Sequence, residues 1–405
     1  MAAVKIVYAT TGLPHMQSTG GEIASQAFID AMRNCGHDVV VFGFMRTVAP
    51  VPVGSMAVQM RAIESRAAGL MPYAWLLQAL LRRRPYGCQK FVSAPYLDQL
   101  RHQARDGKAD VLVLDHARMG WLLPYAGVLA RSVVLIAHNH EAKLCADQAR
   151  ASGGVLRRHV FRRESRLFER LETVLARQVD QIWTLSAGEQ AAFQRMAGSI
   201  DKVVLMAVPG LAHSAETGSG TNPVEPEFDI GLLGTWDWSV NGQGLDWFVE
   251  KVVPKLPAHL QIRVAGRGSE RINGIYPNLK GLGYIDNPAA FTAKARVLAI
   301  PTTVGSGIQL KTINAISAAL PTVSTMIGAR GIDALPDYVR LADTPKEFAA
   351  SLLAQLAAPR PPAARGRQWA RDRTMRFTAQ VAHQLSGLEK NGSTGASVAT
   401  AESVQ

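Results

Sequence analysis

The sequence has little cysteine. Cys35, Cys88 and Cys145 are few, odd in number and widely spaced. They exclude a disulfide framework and any zinc-binding spacing, and they fit a reducing compartment. No apolar run reaches the length needed to cross a bilayer. The N-terminus lacks a basic stretch followed by an apolar one and enters a strand pattern at Val4. No signal peptide is therefore expected, and the expected location is cytoplasmic. No helix-turn-helix, zinc or RNP-type motif is present, so nucleic acid is not an expected partner. No acidic cluster argues for a metal, and none is expected.

Positive charge is abundant. The 405 residues carry 44 Lys and Arg against 32 Asp and Glu, a formal net charge of +12. Such a balance favours an anionic partner: nucleic acid, acidic lipid or a phosphorylated substrate. Much of it is arginine in clusters, at Arg82–Arg84 and again at Arg157, Arg158, Arg162, Arg163, Arg166 and Arg170. Each cluster reads either as a solvated helix face or as an anion-binding surface. The stretch Leu70–Pro85, L-M-P-Y-A-W-L-L-Q-A-L-L-R-R-R-P, is apolar and aromatic and then abruptly basic. It fits a core helix with a solvated end, or a helix lying in an anionic membrane interface.

The length implies two domains. Short apolar runs alternate with helical patterns: strands over Val4–Ala9, Asp38–Phe44, Val111–Leu114, Val133–Ala137 and Gln181–Leu185, with a helix over Gly21–Cys35. The runs are rich in Val, Ile and Leu without clean alternation, as in a parallel sheet covered on both faces. The small, polar segment Ala212–Pro226 reads as a linker. The pattern then restarts with strands at Phe228–Leu233, Leu260–Ala265, Val297–Pro301 and Thr322–Ser324. The expected layout is an N-terminal Rossmann-like domain over 1–208, a linker over 209–227 and a second such domain over 228–364. One or two helices over 365–390, packing back on the first domain, and a disordered tail over 391–405 complete it.

Three glycine turns follow strands and precede helices, where backbone N–H groups can meet an anion. They hold Gly20 and Gly21, then Gly266–Gly268, then G-S-G-I-Q-L-K at Gly305–Lys311. All fall at carboxyl ends of strands, and they divide between the two domains, which points to a cleft between them. Lys311 places a cation at a helix start, where it opposes the helix dipole; a pyrophosphate there resolves the conflict.

These residues resemble glycosyltransferase family 4 and its GT-B relatives, particularly bacterial polysaccharide and sugar transferases. The matching stretches are G-L-L-G-T-W-D-W from Gly231, Leu260–Gly268, G-L-G-Y-I-D-N from Gly281, P-T-T-V-G-S-G-I-Q-L-K-T-I-N-A from Pro301, and G-A-R-G from Gly328. In the first half, Gly20–Gly21, L-D-H-A-R-M from Leu114, H-N-H-E from His138 and W-T-L-S from Trp183 also fit. The resemblance implies an α/β GT-B fold, two Rossmann-like doubly wound domains facing each other across a cleft. It implies a hexosyltransferase that uses a UDP- or GDP-sugar without cofactor or metal, retaining by resemblance, with an inverting reaction that uses a carboxylate or histidine base as the alternative. The acceptor would be a glycan or lipid-linked glycan in cell-surface polysaccharide synthesis, with the protein peripheral on the inner face of an anionic plasma membrane.

The resemblance also implies roles. Lys311 would neutralise the diphosphate with help from Arg267. Gly234, Gly268, Tyr284, Ser306, Gly307, Ile308 and Asn314 would line the donor, with Gly20 and Gly21 on the diphosphate or acceptor. His138 would lie near the transferred sugar, and Asp115, His116 and Glu141 join it as candidate acid–base groups at strand ends. Many relatives carry two glutamates where this chain has Ser306 and Asn314, and an Arg and a Lys where it has Thr235 and Asn241. The weight of diphosphate binding then shifts to Lys311 and Arg267. Two other readings share the fold: a nucleotide-sugar 2-epimerase and a non-catalytic scaffold of a polysaccharide assembly complex.

Overall fold

A computed structural model describes residues 3–14, 19–46, 50–61, 69–210, 225–305 and 307–392. The expected linker between 211 and 224, and the tail from 393, lie outside the described residues. The chain forms two compact units: residues 1–208 with 376–405, and residues 209–375.

In the first unit the strands are β1 (Lys5–Ala9), β2 (Asp38–Met45), β3 (Ser55–Met60), β4 (Ala109–Asp115), β5 (Ala130–Ala137), β6 (Gln181–Thr184) and β7 (Val203–Leu205). Among the described residues they make one sheet in the order β3-β2-β1-β4-β5-β6-β7. Every pairing is parallel, with Ile6 opposite Val39 on one side and Val111 on the other. The central strands are buried almost throughout, which is why their sequences are continuous apolar runs.

The second unit repeats the plan. Its strands are β8 (Phe228–Leu233), β9 (Ile262–Ala265), β10 (Leu279–Gly281), β11 (Ala295–Ile300), β12 (Thr322–Ser324) and β13 (Val339–Leu341). Their order is β10-β9-β8-β11-β12-β13, again all parallel. In both sheets the strand order reverses beside the first strand, between β1 and β4 and between β8 and β11. Two parallel sheets with interleaved helices are the α/β, two-domain GT-B architecture.

The last helix runs unbroken from Ala363 to Gly392, one helix where one or two were expected. The helix also begins two residues earlier than the expected 365. Pro361 and Pro362 directly precede the helix, where the missing N–H costs nothing. Within the first unit its residues Phe377, Val381, Leu385 and Leu388 form a buried stripe at helical spacing. Phe377 meets Phe28 edge-on at 4.9 Å, and Phe28 stacks on Trp183 at 5.7 Å. Gln380 closes the exposed edge at β7: its amide oxygen accepts from Ala207 N at 2.9 Å and its amide nitrogen donates to Leu205 O at 3.1 Å.

Replacing Phe377 with Ala leaves a cavity against Phe28. The expected cost is about 3–5 kcal/mol to the first unit, measurable by urea unfolding followed through tryptophan fluorescence.

Candidate functional site

In the first unit the site is built at the ends of β4 and β5. Register sets Asp115 opposite Ile136, so the last residue of β4 lies beside the end of β5 and close to His138. The carboxylate of Asp115 is fully buried. Its Oδ1 lies 2.7 Å from Nε2 of His138, and its Oδ2 accepts from the Ser25 hydroxyl at 2.7 Å. Burial pushes this carboxyl up, but the facing His138 and the hydrogen bonds from His138 and Ser25 outweigh it and hold it well below its ordinary range. Asp115 is therefore an anion that orients His138 and fixes a proton on Nε2.

His116 stacks on His138 with ring centroids 3.8 Å apart. Its backbone is left-handed, φ 76° and ψ 144°, which a non-glycine residue adopts at a cost. Burial, then the neighbouring His138, keeps its imidazole well below the ordinary histidine value, hence neutral. Tyr8 on β1 is buried nearby, and burial with the Asp115 charge holds its phenol protonated. Gly21 sits in front of the His116 ring; a Cβ there would lie 3.6 Å from its Cε1. Thr19 caps the helix Gly20–Asn34, accepting from Glu22 N at 3.3 Å, so both glycines belong to its first turn.

One ligand atom from each of Asp115, His116 and His138 lies within 4.8 Å of the others, the one such group among the described residues. Two ligands of one ion stand about 3 Å or more apart. The 2.7 Å contact between Asp115 and His138 is instead a hydrogen-bond length.

Glu141 does not join this group. It opens the helix Glu141–Ala151 and its carboxylate takes Arg118 at 2.9 Å. The cap of that helix is Glu172, whose two oxygens accept from Glu141 N at 2.7 Å and Ala142 N at 3.1 Å. Its carboxylate is thus engaged with Arg118, apart from the Asp115–His138 pair.

In the second unit the glycine turns gather at the ends of β8, β9 and β11. Gly266, at φ 112°, packs against the carbonyl of Gly234, leaving no room for a side chain at 266. Trp236 locks this corner: its indole donates to Ala265 O at 2.9 Å and its backbone N–H to Arg267 O at 2.8 Å. Gly266 N donates to Gly283 O at 2.7 Å, which ties the turn to the loop of Tyr284, itself exposed.

Gly305 and Gly307, at φ 117° and 78°, shape the turn after β11, and the Arg330 guanidinium donates to the Gly305 carbonyl. Ile308 and Gln309 lead into the helix Leu310–Ser317, so Lys311 is its second residue. The Lys311 ammonium lies 5.8 Å from the Trp236 ring centroid. Burial pushes its pKa down to about 8. Neither Lys311 nor Arg267 forms an ion pair among the described residues. Asn314, three residues beyond Lys311, packs against Gly210. Ser306 lies outside the described residues.

Sequence reasoning missed Ser25, Glu172 and Trp236. Ser25 sits ninety residues from its partner, and Glu172 lies within an arginine-rich helix that draws the eye to its cations. Trp236 had a signal in the segment W-D-W.

Burial, then the Glu141 charge, pushes Glu172 up to about 8. A carboxyl raised above its ordinary value of 4.5 favours folding below that value, and the gain is lost as pH rises toward 8. Glu172→Gln removes that titration. Its melting temperature should fall less than that of the wild type between about pH 6 and about pH 8.5.

Two family models match the chain: "Glycosyl transferase 4-like domain" over residues 19–209 and "Glycosyl transferases group 1" over residues 227–358. No curated protein matches it in sequence. Among solved structures, Alr3699/HepE of Anabaena in complex with UDP-glucose is similar, with a TM-score of 0.60 and 13% identity over 95% of this chain and 100% of that one. A glycosyltransferase of Rickettsia africae follows at 0.58 and 11%, over 98% and 100%. The apo lipopolysaccharide outer core galactosyltransferase WaaB gives 0.55 and 12%, over 96% and 99%. At these identities the structural likeness is one of fold. The family matches and the fold together make the chain a GT-B glycosyltransferase of the glycosyltransferase 4-like type.

Proposed function

We propose that the chain moves a hexose from a nucleotide-diphosphate sugar, in the first instance a UDP-sugar, to a glycan or lipid-linked glycan acceptor in cell-surface polysaccharide synthesis. The observation that carries this reading is Lys311. It is a desolvated cation at the start of a helix, after two left-handed glycines, and it has no acidic partner among the described residues. Such a group is unfavourable unless an anion arrives. The solved structures that bind UDP and UDP-glucose share this fold.

As the bond to the donor sugar breaks, the sugar becomes oxocarbenium-like and negative charge builds on the departing diphosphate. Lys311, the N–H groups of its helix and Arg267 stabilise that charge. We assign the acceptor side to His138, oriented by Asp115. In a retaining reaction the leaving phosphate helps deprotonate the acceptor, and no protein nucleophile is needed. The donor then needs no metal, because cationic side chains meet the diphosphate. No helix among the described residues is long and apolar enough to cross a membrane. We place the enzyme on the cytoplasmic face of an anionic membrane.

UDP at about a hundred times its Kd should raise the melting temperature by roughly 5–10 °C, and Lys311→Ala should abolish the rise. UDP affinity should fall as pH climbs above about 8, because only the protonated ammonium attracts the diphosphate; Lys311→Arg should extend binding to higher pH. No shift with UDP, GDP or their sugars would sink the reading. A shift without any turnover would favour the scaffold, which the uncharged Asn314 makes worth testing.

Asp115→Asn should cut turnover about a hundredfold or more while leaving the UDP-induced shift in place. Steady-state kinetics beside the thermal shift separates the two effects.

A further inference from the structure

Two helices of the first unit carry features that sugar transfer does not use. The helix Met71–Leu81 buries only Trp75 and Ala79, one residue per turn on a single narrow stripe. Tyr73, Leu77 and Leu81 are 71%, 59% and 76% exposed, and Met71, Leu76 and Leu80 are exposed as well. Single exposed leucines are ordinary, but an exposed apolar face two to three turns long marks a surface that something covers. The helix carries no charge and runs directly into Arg82, Arg83 and Arg84.

The helix Val155–Gln178 lies beside it. Arg163 donates to Ala79 O at 3.0 Å, and Glu164 accepts from Gly87 N at 3.4 Å. Along this second helix run two hollows. One, of about 520 Å³, is lined by Arg150, Arg158, Arg162, Ser165 and Arg166. The other, of about 260 Å³, shares Arg162 and Arg166 and adds Arg163 and Arg170. Arg163 thus joins the smaller hollow to the apolar helix. Of the nearby acids, Asp147 is engaged with Lys143 and Arg150, Glu164 with Arg163 and Glu172 at the helix cap, which leaves the exposed Glu169 as a lone carboxylate among four arginines. Arg162, Arg166 and Arg170 have no acidic partner among the described residues.

We infer that the helix Met71–Leu81 and the arginine-lined hollows form one docking surface for an anionic phospholipid bilayer. The leucines lie among acyl chains at the interface, and Arg158, Arg162 and Arg166 take lipid phosphates. Charge complementarity chooses this occupant. A bilayer of acidic lipids presents apolar chains and phosphates side by side, as the two helices present leucines and guanidinium groups. A nucleic acid would answer the arginines and leave the leucines in water. Guanidinium groups bind phosphate through paired N–H donors, and several share the larger hollow, which therefore suits a phosphorylated head group. This inference rests on the membrane-surface reading above and names the residues that carry it.

The test is flotation of the full chain with vesicles of phosphatidylcholine alone and of equal parts phosphatidylcholine and phosphatidylglycerol. The protein should float only with the acidic vesicles, and less as salt is raised. R162A/R166A should weaken partition by roughly tenfold or more. L77E/L80E should abolish it even at low salt. Both variants replace exposed side chains, so the UDP-induced thermal shift should persist in each and report an intact fold. Flotation that neither variant reduces overturns the inference, as does its absence with acidic vesicles. A wild type that ignores vesicles but is stabilised by inorganic pyrophosphate, in a manner lost in R162A/R166A, would show a site for soluble phosphates instead. A dimer that L77E/L80E dissociates, without vesicle binding, would assign the apolar face to a second copy. Flotation without any UDP shift leaves the docking surface standing and removes only the donor reading.

Discussion

Parallel pairing is the constraint from which the rest follows. When every strand of a sheet runs the same way, all their carboxyl ends meet on one edge, and the helices that follow start there with unpaired N–H groups. In each unit the strand order reverses beside the first strand, so the connections diverge and leave a gap on that edge. The ends of β1 and β4 bound one gap and the ends of β8 and β11 the other. Asp115 and His116 stand at the first. Gly234 and the residues Pro301–Gly305 stand at the second.

The two gaps hold opposite electrostatics. In the first unit a buried carboxylate is fully answered: Asp115 accepts from Ser25 and His138, and His116 remains neutral against it. That network fixes the direction of His138 and stores a small backbone strain at His116. In the second unit Lys311 and Arg267 form no ion pair among the described residues, while Arg271, Lys294, Arg296 and Arg365 each meet an acid. Lys311 is held over an indole and pushed down to about 8 by burial alone. A protein that desolvates a cation without a counter-ion lowers its own stability at that point, and the proposed anionic donor would restore the balance. The glycines around it admit such a ligand because no side chain fills the space.

Much of the fold was legible because the central strands are buried on both faces. Their runs of Val, Ile and Leu stand out from the flanking helices, as at Val111–Leu114 and Phe228–Leu233. The strands that sequence reasoning missed are β3, β7, β10 and β13, the four edges of the two sheets. Edge strands bury one side only and are three to six residues long here, so S-M-A-V-Q-M and L-K-G read as loop.

For the site, the sequence alone determined which residues stand at strand ends and helix starts. That is a local property, set by where apolar runs stop and glycines follow, and it nominated His138, Asp115, Glu141, Lys311 and the glycine turns as candidates. Tertiary structure decided which of them act together. Asp115 became the partner of His138 because β4 and β5 are neighbours in register, and Glu141 was drawn away by Arg118 from twenty-three residues earlier. Ser25 and Glu172 gained their roles from helices that pack across the ends of other segments. A side chain's charge is written in the sequence. The partner that satisfies it is chosen by burial and distance, and those exist only once the chain has folded.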